Sequence, residues 1–192
     1  MHVVRVVRVL LVVLIVAVVV GAGSSVLSAR PDLDKAKHNV DLAWSSLSVR
    51  LDHRYLLLAA VDDKLRPVPG PIHTVATDLD AALAHWRDVR QNGSVTAQVD
   101  AANDVEALAR RVVATAGASP RVKNDDAVLT AIGQFLDDGS RGGAASSFNT
   151  DVVHYEHERR GPVRTVVASV LGDGTIPVLD TSQATPTTTP SA

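Results

Sequence analysis

The sequence contains no cysteine and very few aromatic residues. Without cysteine, the chain can form no disulfide framework, no thiolate zinc site and no cysteine nucleophile, although an oxidising compartment remains open to it. Aromatic residues make up 3% of the chain, and Ala, Val and Leu carry most of its 46% hydrophobic content. Small apolar side chains favour closely packed helices over an aromatic-filled sandwich. We therefore predict an all-α protein.

The chain also lacks an excess of charge of either sign. Its formal net charge is -2, with acidic and basic residues interspersed, so no field would gather nucleic-acid phosphates. It has no P-loop, dinucleotide fingerprint or nucleophile elbow. We therefore predict no nucleic-acid partner, no cofactor and no enzymatic activity. The length of 192 residues suits one domain with appendages.

One long hydrophobic run is present near the N-terminus, where residues 9–29 carry no charge. A helix of about 20 such residues crosses a hydrocarbon core of about 30 Å. Arg5 and Arg8 precede the run and can extend their side chains to the headgroups. We predict that residues 1–30 form one transmembrane helix, which anchors the protein in membrane lipid.

A cleavable signal peptide is the alternative interpretation of this segment. Leu27 stands where cleavage before Arg30 would require a small residue, and cleavage after Gly23 fits the pattern only passably, so we expect an uncleaved signal-anchor. The basic residues on the two sides of the run are nearly balanced. Because a short basic tail before a first anchor usually stays inside, we expect a single-pass protein whose bulk domain is extracytoplasmic.

Residues 31–179 show the periodicity of an antiparallel helical bundle. In the first helix, apolar residues recur at alternating spacings of four and three, which keeps one stripe facing partner helices. Asp32 and Asp34 are expected in its first turn, near the positive end of the helix dipole. Arg54 alone interrupts the stripe, and we expect it to extend from the core edge rather than form a buried pair. The stripe consists of Leu33, Val40, Trp44, Leu47, Leu51, Leu58, Val61 and Leu65.

Turn-forming residues separate the helices that follow. The prolines of LRPVPGPI end the first helix, and the Asn-Gly pair of QNGS ends a second. Ser94 is predicted to cap a third helix, which ends near residues 116–117. Asn124 is predicted to open a fourth, shorter helix before DDGSRGGA. The inward residues of this fourth helix are expected to be Val128, Ile132, Phe135 and Leu136.

A fifth helix is predicted to hold the window DVVHYEHERRG, residues 151–161. The next apolar stretch, VRTVVASVLG, fits a helix or a strand, because short Val-rich runs are ambiguous. Residues 180–192 are rich in Thr and Pro and are expected to be disordered.

The window contains two histidines, which raises the possibility of a metal site. His154 could bind a metal with His157 or Glu158, but two ligands from one turn give half a tetrahedral shell. The H-E-x-x-H order is absent. We therefore predict no metal site and a solvated helix face, with ion pairs to Arg159 and Arg160. The other histidines considered are scattered singly, at His38, His53, His73 and His85.

Three pairs of adjacent aspartates could in principle serve acid-base chemistry. They are Asp62-Asp63, Asp125-Asp126 and Asp137-Asp138. All of them fall at predicted helix ends or turns, where Asp favours local hydrogen bonds to the backbone. We therefore interpret them as caps.

Two motifs resemble those of the LemA family of membrane-anchored helical proteins. The first resembles V-x-x-A-W followed by leucine and arginine, and the second, FNTDVVHY, resembles Y-N-x-x-V-x-x-Y-N. Glu156 replaces the last asparagine of the second motif, and Leu56 also departs from the family pattern, so the chain resembles a divergent member. The positions that match are Val40, Ala43, Trp44, Leu47, Leu51, Arg54, Phe148, Asn149, Val152 and Tyr155.

The resemblance implies a bacterial, membrane-tethered bundle of long helices, and it implies little about chemistry. It also implies that Phe148 and Tyr155 pack inward while Asn149 bonds to a neighbouring group. We predict a protein-interaction or scaffold module of the cell envelope with an unidentified protein partner. The alternative is a small-ligand or metal-responsive sensor domain that uses a pocket between helices.

Overall fold

The computed structural model describes residues 30–138, 142–161, 164, 165, 168, 169 and 174–180, and for residues 2–29 a helical backbone only. The side chains of the predicted anchor, apart from Arg30, thus lie outside the described residues, as do residues 181–192 of the predicted disordered tail. Where side chains are described, no helix is both long and apolar enough to cross a membrane.

The described part of the chain is helical and contains no strand, which confirms the prediction of an all-α fold. A short 3₁₀ helix precedes the fourth α-helix, and residues 164, 165, 168 and 169 of the ambiguous Val-rich stretch are helical. The elements are α1 (His2–Leu65), α2 (Pro71–Asn92), α3 (Val95–Ala118), the 3₁₀ helix (Val122–Asn124), α4 (Asp126–Asp137) and α5 (Gly142–Arg159).

Side-chain contacts give the directions of the helices around α1. Trp44 packs against Phe148 of α5, and nearer the N-terminus Asn39 shares a pocket with His154, so α1 and α5 are antiparallel. Asp52 of α1 pairs with Arg90 near the C-terminal end of α2 at 3.2 Å. Because the α1–α2 connection is only five residues long, α2 also runs antiparallel to α1.

The turn chemistry predicted from Pro, Gly and Ser is confirmed. Gly70 precedes α2 with a φ of 101°, a conformation that side chains disfavour, and Pro71 occupies the first helical turn, where its missing N–H is no loss. Gly93 ends α2, and a Cβ there would lie 2.6 Å from the carbonyl oxygen of Val89. The Ser94 side chain caps α3 by accepting a hydrogen bond from the backbone N–H of Ala97.

Three local predictions are wrong. α1 continues through Pro31, so Asp32 and Asp34 do not lie in a first turn. A proline removes one backbone donor, but burial of Leu33 just beyond it holds the helix against the bundle. Asn124 ends the 3₁₀ helix rather than opening α4.

Asp125 opens α4 instead, because its carboxylate accepts hydrogen bonds from the N–H groups of Ala127 and Val128 at 3.0 and 3.2 Å. Leu136 is 37% exposed rather than inward, since Phe135 takes the position facing the core.

The core contains all six aromatic residues of the sequence, and each is buried. Trp44 lies at the centre, with its ring 5.1 Å from Phe148 and 6.3 Å from Trp86, and Trp86 in turn makes an edge contact with Tyr55 at 5.2 Å. Edge and tilted contacts of this kind stabilise aromatic pairs beyond their buried area. This cluster therefore joins α1, α2 and α5 at one level of the bundle.

Candidate functional site

The histidine window lies on an exposed face of α5. His154 and His157 are exposed, while Val152 and Tyr155 are buried on the other side of the helix. No cluster of three or more metal-binding side chains occurs within the described ranges. The six histidines after residue 30 are all exposed, as expected for solvated side chains.

The ion pairs of this face differ in part from the expected ones. Glu158 forms a close pair with Arg164, a residue beyond the end of α5. Arg159 pairs with Glu156 at 3.8 Å. Arg164 therefore ties the residues that follow α5 back to this helix face.

A small pocket of about 270 Å³ opens between α1 and this part of α5. Its lining combines two carboxylates with a lysine, a histidine and an amide, so acidic and basic groups offset one another. The lining residues are Asp32, Lys35, Ala36, Asn39, His154 and Glu158. The pocket can hold a small polar molecule, although its mixed charge selects for no particular ion.

Arg54 is buried, which corrects the prediction that it extends from the core edge. Its side chain is 6% exposed, and its Nε donates a hydrogen bond to Oε1 of Glu106, itself 2% exposed, at 2.9 Å. Nη1 donates to the carbonyl oxygen of Phe135 at 3.0 Å, and the guanidinium lies 3.9 Å from the centre of that ring. Buried charges persist when paired and hydrogen-bonded in this way. Arg54 thus joins α1 to α3 and α4 and has a structural role.

Asp62 corrects the interpretation of its own aspartate pair as a cap, whereas Asp125 does cap α4. Asp62 lies within the last turn of α1, is 2% exposed, and accepts a hydrogen bond from Arg66 at 2.7 Å. Burial raises the pKa of the Asp62 carboxyl, and Arg66 opposes this change in pKa only in part. A raised pKa can mark an acid-base residue. However, Asp62 lines neither the α1–α5 pocket nor a second pocket beside Asn149.

The most extensive polar site surrounds residues 174–180, which we call the C-terminal segment. It has no regular secondary structure and makes hydrogen bonds to side chains of α3 and α5. The Asn149 side chain accepts from the N–H of Leu179 and donates to its carbonyl oxygen, both at 2.8 Å. From α3, Asn103 donates to the carbonyl of Val178 at 3.0 Å and accepts from the N–H of Asp180 at 2.8 Å.

These two asparagines therefore satisfy four successive polar groups of an extended main chain. Each amide presents one donor and one acceptor, as a neighbouring β-strand would. The predicted bond from Asn149 to a neighbouring group is confirmed, whereas the sequence did not indicate the role of Asn103. We call these two residues the asparagine clamp.

Further contacts hold the rest of the C-terminal segment. Tyr155 donates a hydrogen bond from its hydroxyl to the carbonyl of Gly174 at 3.1 Å. Glu156, the residue that departs from the family motif, accepts from the N–H of Ile176 at 3.1 Å. The carboxylate of Asp180 pairs with Arg110 of α3 at 2.7 Å. Both ends of the motif that resembles the LemA family, Asn149 and Tyr155, thus help to bind this segment.

Comparison with known proteins adds no relative: no protein-family model matches the chain, and neither a curated protein nor a solved structure matches it. The fold and the site define an all-α bundle that holds an extended segment of its own chain in a groove between α3 and α5. Membership of the LemA family stays a prediction from the motifs.

Proposed function

We propose that this protein is a membrane-anchored, non-enzymatic protein-interaction module of the cell envelope and a divergent member of the LemA family. The uncharged run of residues 9–29 supports the anchor, and the two motifs support the family. The observation that carries the interaction role is an apolar stripe on the outer face of α1.

This outer stripe consists of Leu42, Val49 and Leu56, whose exposed fractions are 58%, 62% and 69%. The three residues are seven positions apart, and seven residues return to nearly the same angle of a helix. Leu42 lies about 200° around the helix from the buried Val40, so the outer stripe faces away from the core. Three large apolar side chains thus line up along about 21 Å of the helix surface.

A seven-residue spacing fits a partner helix laid along α1, because such a spacing matches the repeat of coiled coils. Single exposed apolar residues are ordinary on protein surfaces, whereas an aligned row supports a binding surface. Since α1 also leads to the predicted anchor, the expected partner is a helix close to the membrane surface. A second copy of this chain, which presents the same row, is one such partner.

The absence of cysteine allows a clean test of this surface. A photo-crosslinker attached through Val49→Cys in membranes should give a discrete adduct, whereas the same probe at the exposed residue Ala84→Cys on α2 should not. Adding Leu42→Ser and Leu56→Ser should abolish the adduct. Equal adducts from both cysteines, together with a monomer by light scattering in mild detergent, would contradict the proposal.

The anchor and its orientation are tested separately. A reporter fused after Ala192 that is active only outside the cytoplasm should give a signal from a product that stays in the membrane fraction. A product recovered in the soluble fraction with residues 1–30 intact would show that the anchor is wrong.

A sensor domain is the alternative function, and the pocket between α1 and α5 is the observation that favours it. Thermal-shift screening with divalent metals and small polar metabolites tests it directly. A ligand that raises the melting temperature of the wild type but not of a His154→Ala variant would favour the sensor. An unchanged melting temperature with every ligand would remove it.

A further inference from the structure

We propose that the groove between α3 and α5 is a binding site for an extended peptide segment of another protein, which displaces the chain's own C-terminal segment. This groove would be a second binding surface of the protein. The inference rests on the proposed function only in assuming that the protein binds other proteins. It depends on the contacts of residues 174–180 and not on the outer stripe of α1.

Recognition in this groove is directed at the main chain. The asparagine clamp binds the carbonyl of Val178, both backbone groups of Leu179 and the N–H of Asp180. Any residue except proline offers the same donor and acceptor, so these four bonds do not depend on which side chains the ligand carries. Domains that bind extended peptides obtain affinity in this way and take their specificity from pockets for single side chains.

Two such side-chain positions are present. Leu179 is 1% exposed and Ile176 is 8% exposed, whereas Val178, between them, is 48% exposed. Arg110 then pairs with the acidic residue that directly follows the second apolar position. The groove therefore selects an extended peptide with an apolar residue, two less restricted residues, a second apolar residue and an acidic residue.

The contacts also make the occupant exchangeable. The hydrogen bonds that hold the main chain of the C-terminal segment come from side chains that belong to α3 and α5, so its departure breaks no backbone ladder of the bundle. The carboxylate of Asp180 is 40% exposed and Arg110 is 27% exposed, so water reaches this ion pair. A tethered segment competes at an effective concentration of about millimolar for short linkers. A partner held at the same membrane can compete because its effective concentration near the groove is also high.

The test uses the full chain with its own segment weakened. Leu179→Ser removes the most buried side chain of the segment and leaves every groove residue unchanged. A fluorescent heptapeptide of sequence GTIPVLD should bind this variant at least tenfold more tightly than it binds the wild type, as measured by fluorescence anisotropy. A control peptide with serine at both apolar positions should bind neither protein.

The asparagine clamp supplies the matched pair of variants. Asn149→Ala in the Leu179→Ser background should weaken peptide binding at least tenfold. Asn124→Ala, which removes an exposed asparagine bonded to the carbonyl of Pro120, should not change it. If Leu179→Ser loses helicity by circular dichroism, Asp180→Ala serves as the weakened segment instead, because it removes the pair with Arg110 and leaves both apolar side chains in place.

The inference is overturned if a folded weakened variant binds the peptide no better than the wild type, or binds the control peptide equally well. A wild-type dimer by light scattering that the peptide dissociates would overturn it in another way, because the occupant would then be the segment of a second copy. Binding of the peptide without any crosslink from Val49→Cys would contradict the proposed role of the outer stripe and support the peptide-binding groove. A crosslink without peptide binding would support the outer stripe and contradict the groove.

Discussion

The Arg54–Glu106 pair and the asparagine clamp both join α3 to other parts of the chain through side chains, but they differ in charge and in exposure. The pair is ionic, and its two side chains are 6% and 2% exposed. The clamp is neutral, and both of its asparagines are only partly buried. A buried charge cannot lose its partner without a large cost in free energy, whereas a partly exposed amide can exchange its partner for water.

We therefore distinguish a permanent contact between helices, the Arg54–Glu106 pair, from an exchangeable contact, the asparagine clamp. Arg54 reaches Glu106 of α3 and the end of α4 at once, so separating α1 from either helix breaks hydrogen bonds of this buried guanidinium. In the proposed exchange, the C-terminal segment leaves its groove while the helices stay packed. The ion pair through Glu106 thus serves stability, and the clamp through Asn103, one turn away on α3, serves the proposed binding.

The largest effect should come from breaking the ion pair. Glu106→Ala leaves the Arg54 guanidinium buried without its carboxylate, and we expect a loss of about 3–5 kcal/mol in the free energy of unfolding. Urea denaturation followed by circular dichroism measures it. The double variant Arg54→Met/Glu106→Leu, which removes both charges, should recover most of the loss. If Glu106→Ala is as stable as the wild type, the ion pair does not hold the helices together.

A smaller effect is expected in the groove. Asn149→Ala leaves the N–H and carbonyl of Leu179 without their protein partners, at a cost of about 1–3 kcal/mol for the local closing of the C-terminal segment. Hydrogen exchange at the Leu179 amide should accelerate while exchange in the α1 core stays unchanged. Equal acceleration in both places would mean that the C-terminal segment unfolds only with the whole bundle, and the comparison would fail.

The smallest effect on stability should come from Asp62. Its carboxyl is buried like the Arg54–Glu106 pair, but its partner Arg66 is exposed to water. Because the folded protein binds a proton on this carboxyl more tightly than the unfolded chain, Asp62 stabilises the fold most below its unfolded pKa of 3.8, and this contribution is lost as the pH rises through the folded pKa. Asp62→Asn should therefore raise the melting temperature at neutral pH by a few degrees at most. The difference from the wild type should shrink or reverse near pH 4 in a series of thermal melts.

The sequence predicted the helices well because their information is local. Apolar spacing located the buried faces of α1, α2 and α3, and Ser94 could be recognised as a cap from its position alone. The same logic failed at Arg54, where the partner is 52 positions away. Glu106 carries a partial indication, since it occupies an apolar stripe of α3 between the buried Ala102 and Ala109.

The groove was harder to predict. Asn103 and Asn149 are ordinary polar residues on separate helices, and no periodicity links them to an extended segment that lies 75 and 30 positions further on, respectively. The resemblance to a family motif indicated that Asn149 bonds to something, without indicating what.

The sequence by itself determined the all-α class, the helix breaks at residues 66–70 and at Gly93, and the absence of thiol chemistry, because these depend on composition and on neighbours within a few turns. Only the tertiary structure decided which polar residues are buried together and what fills the groove between α3 and α5. Such pairings depend on which helix faces meet across the bundle, and many arrangements of the same helices satisfy the same local preferences.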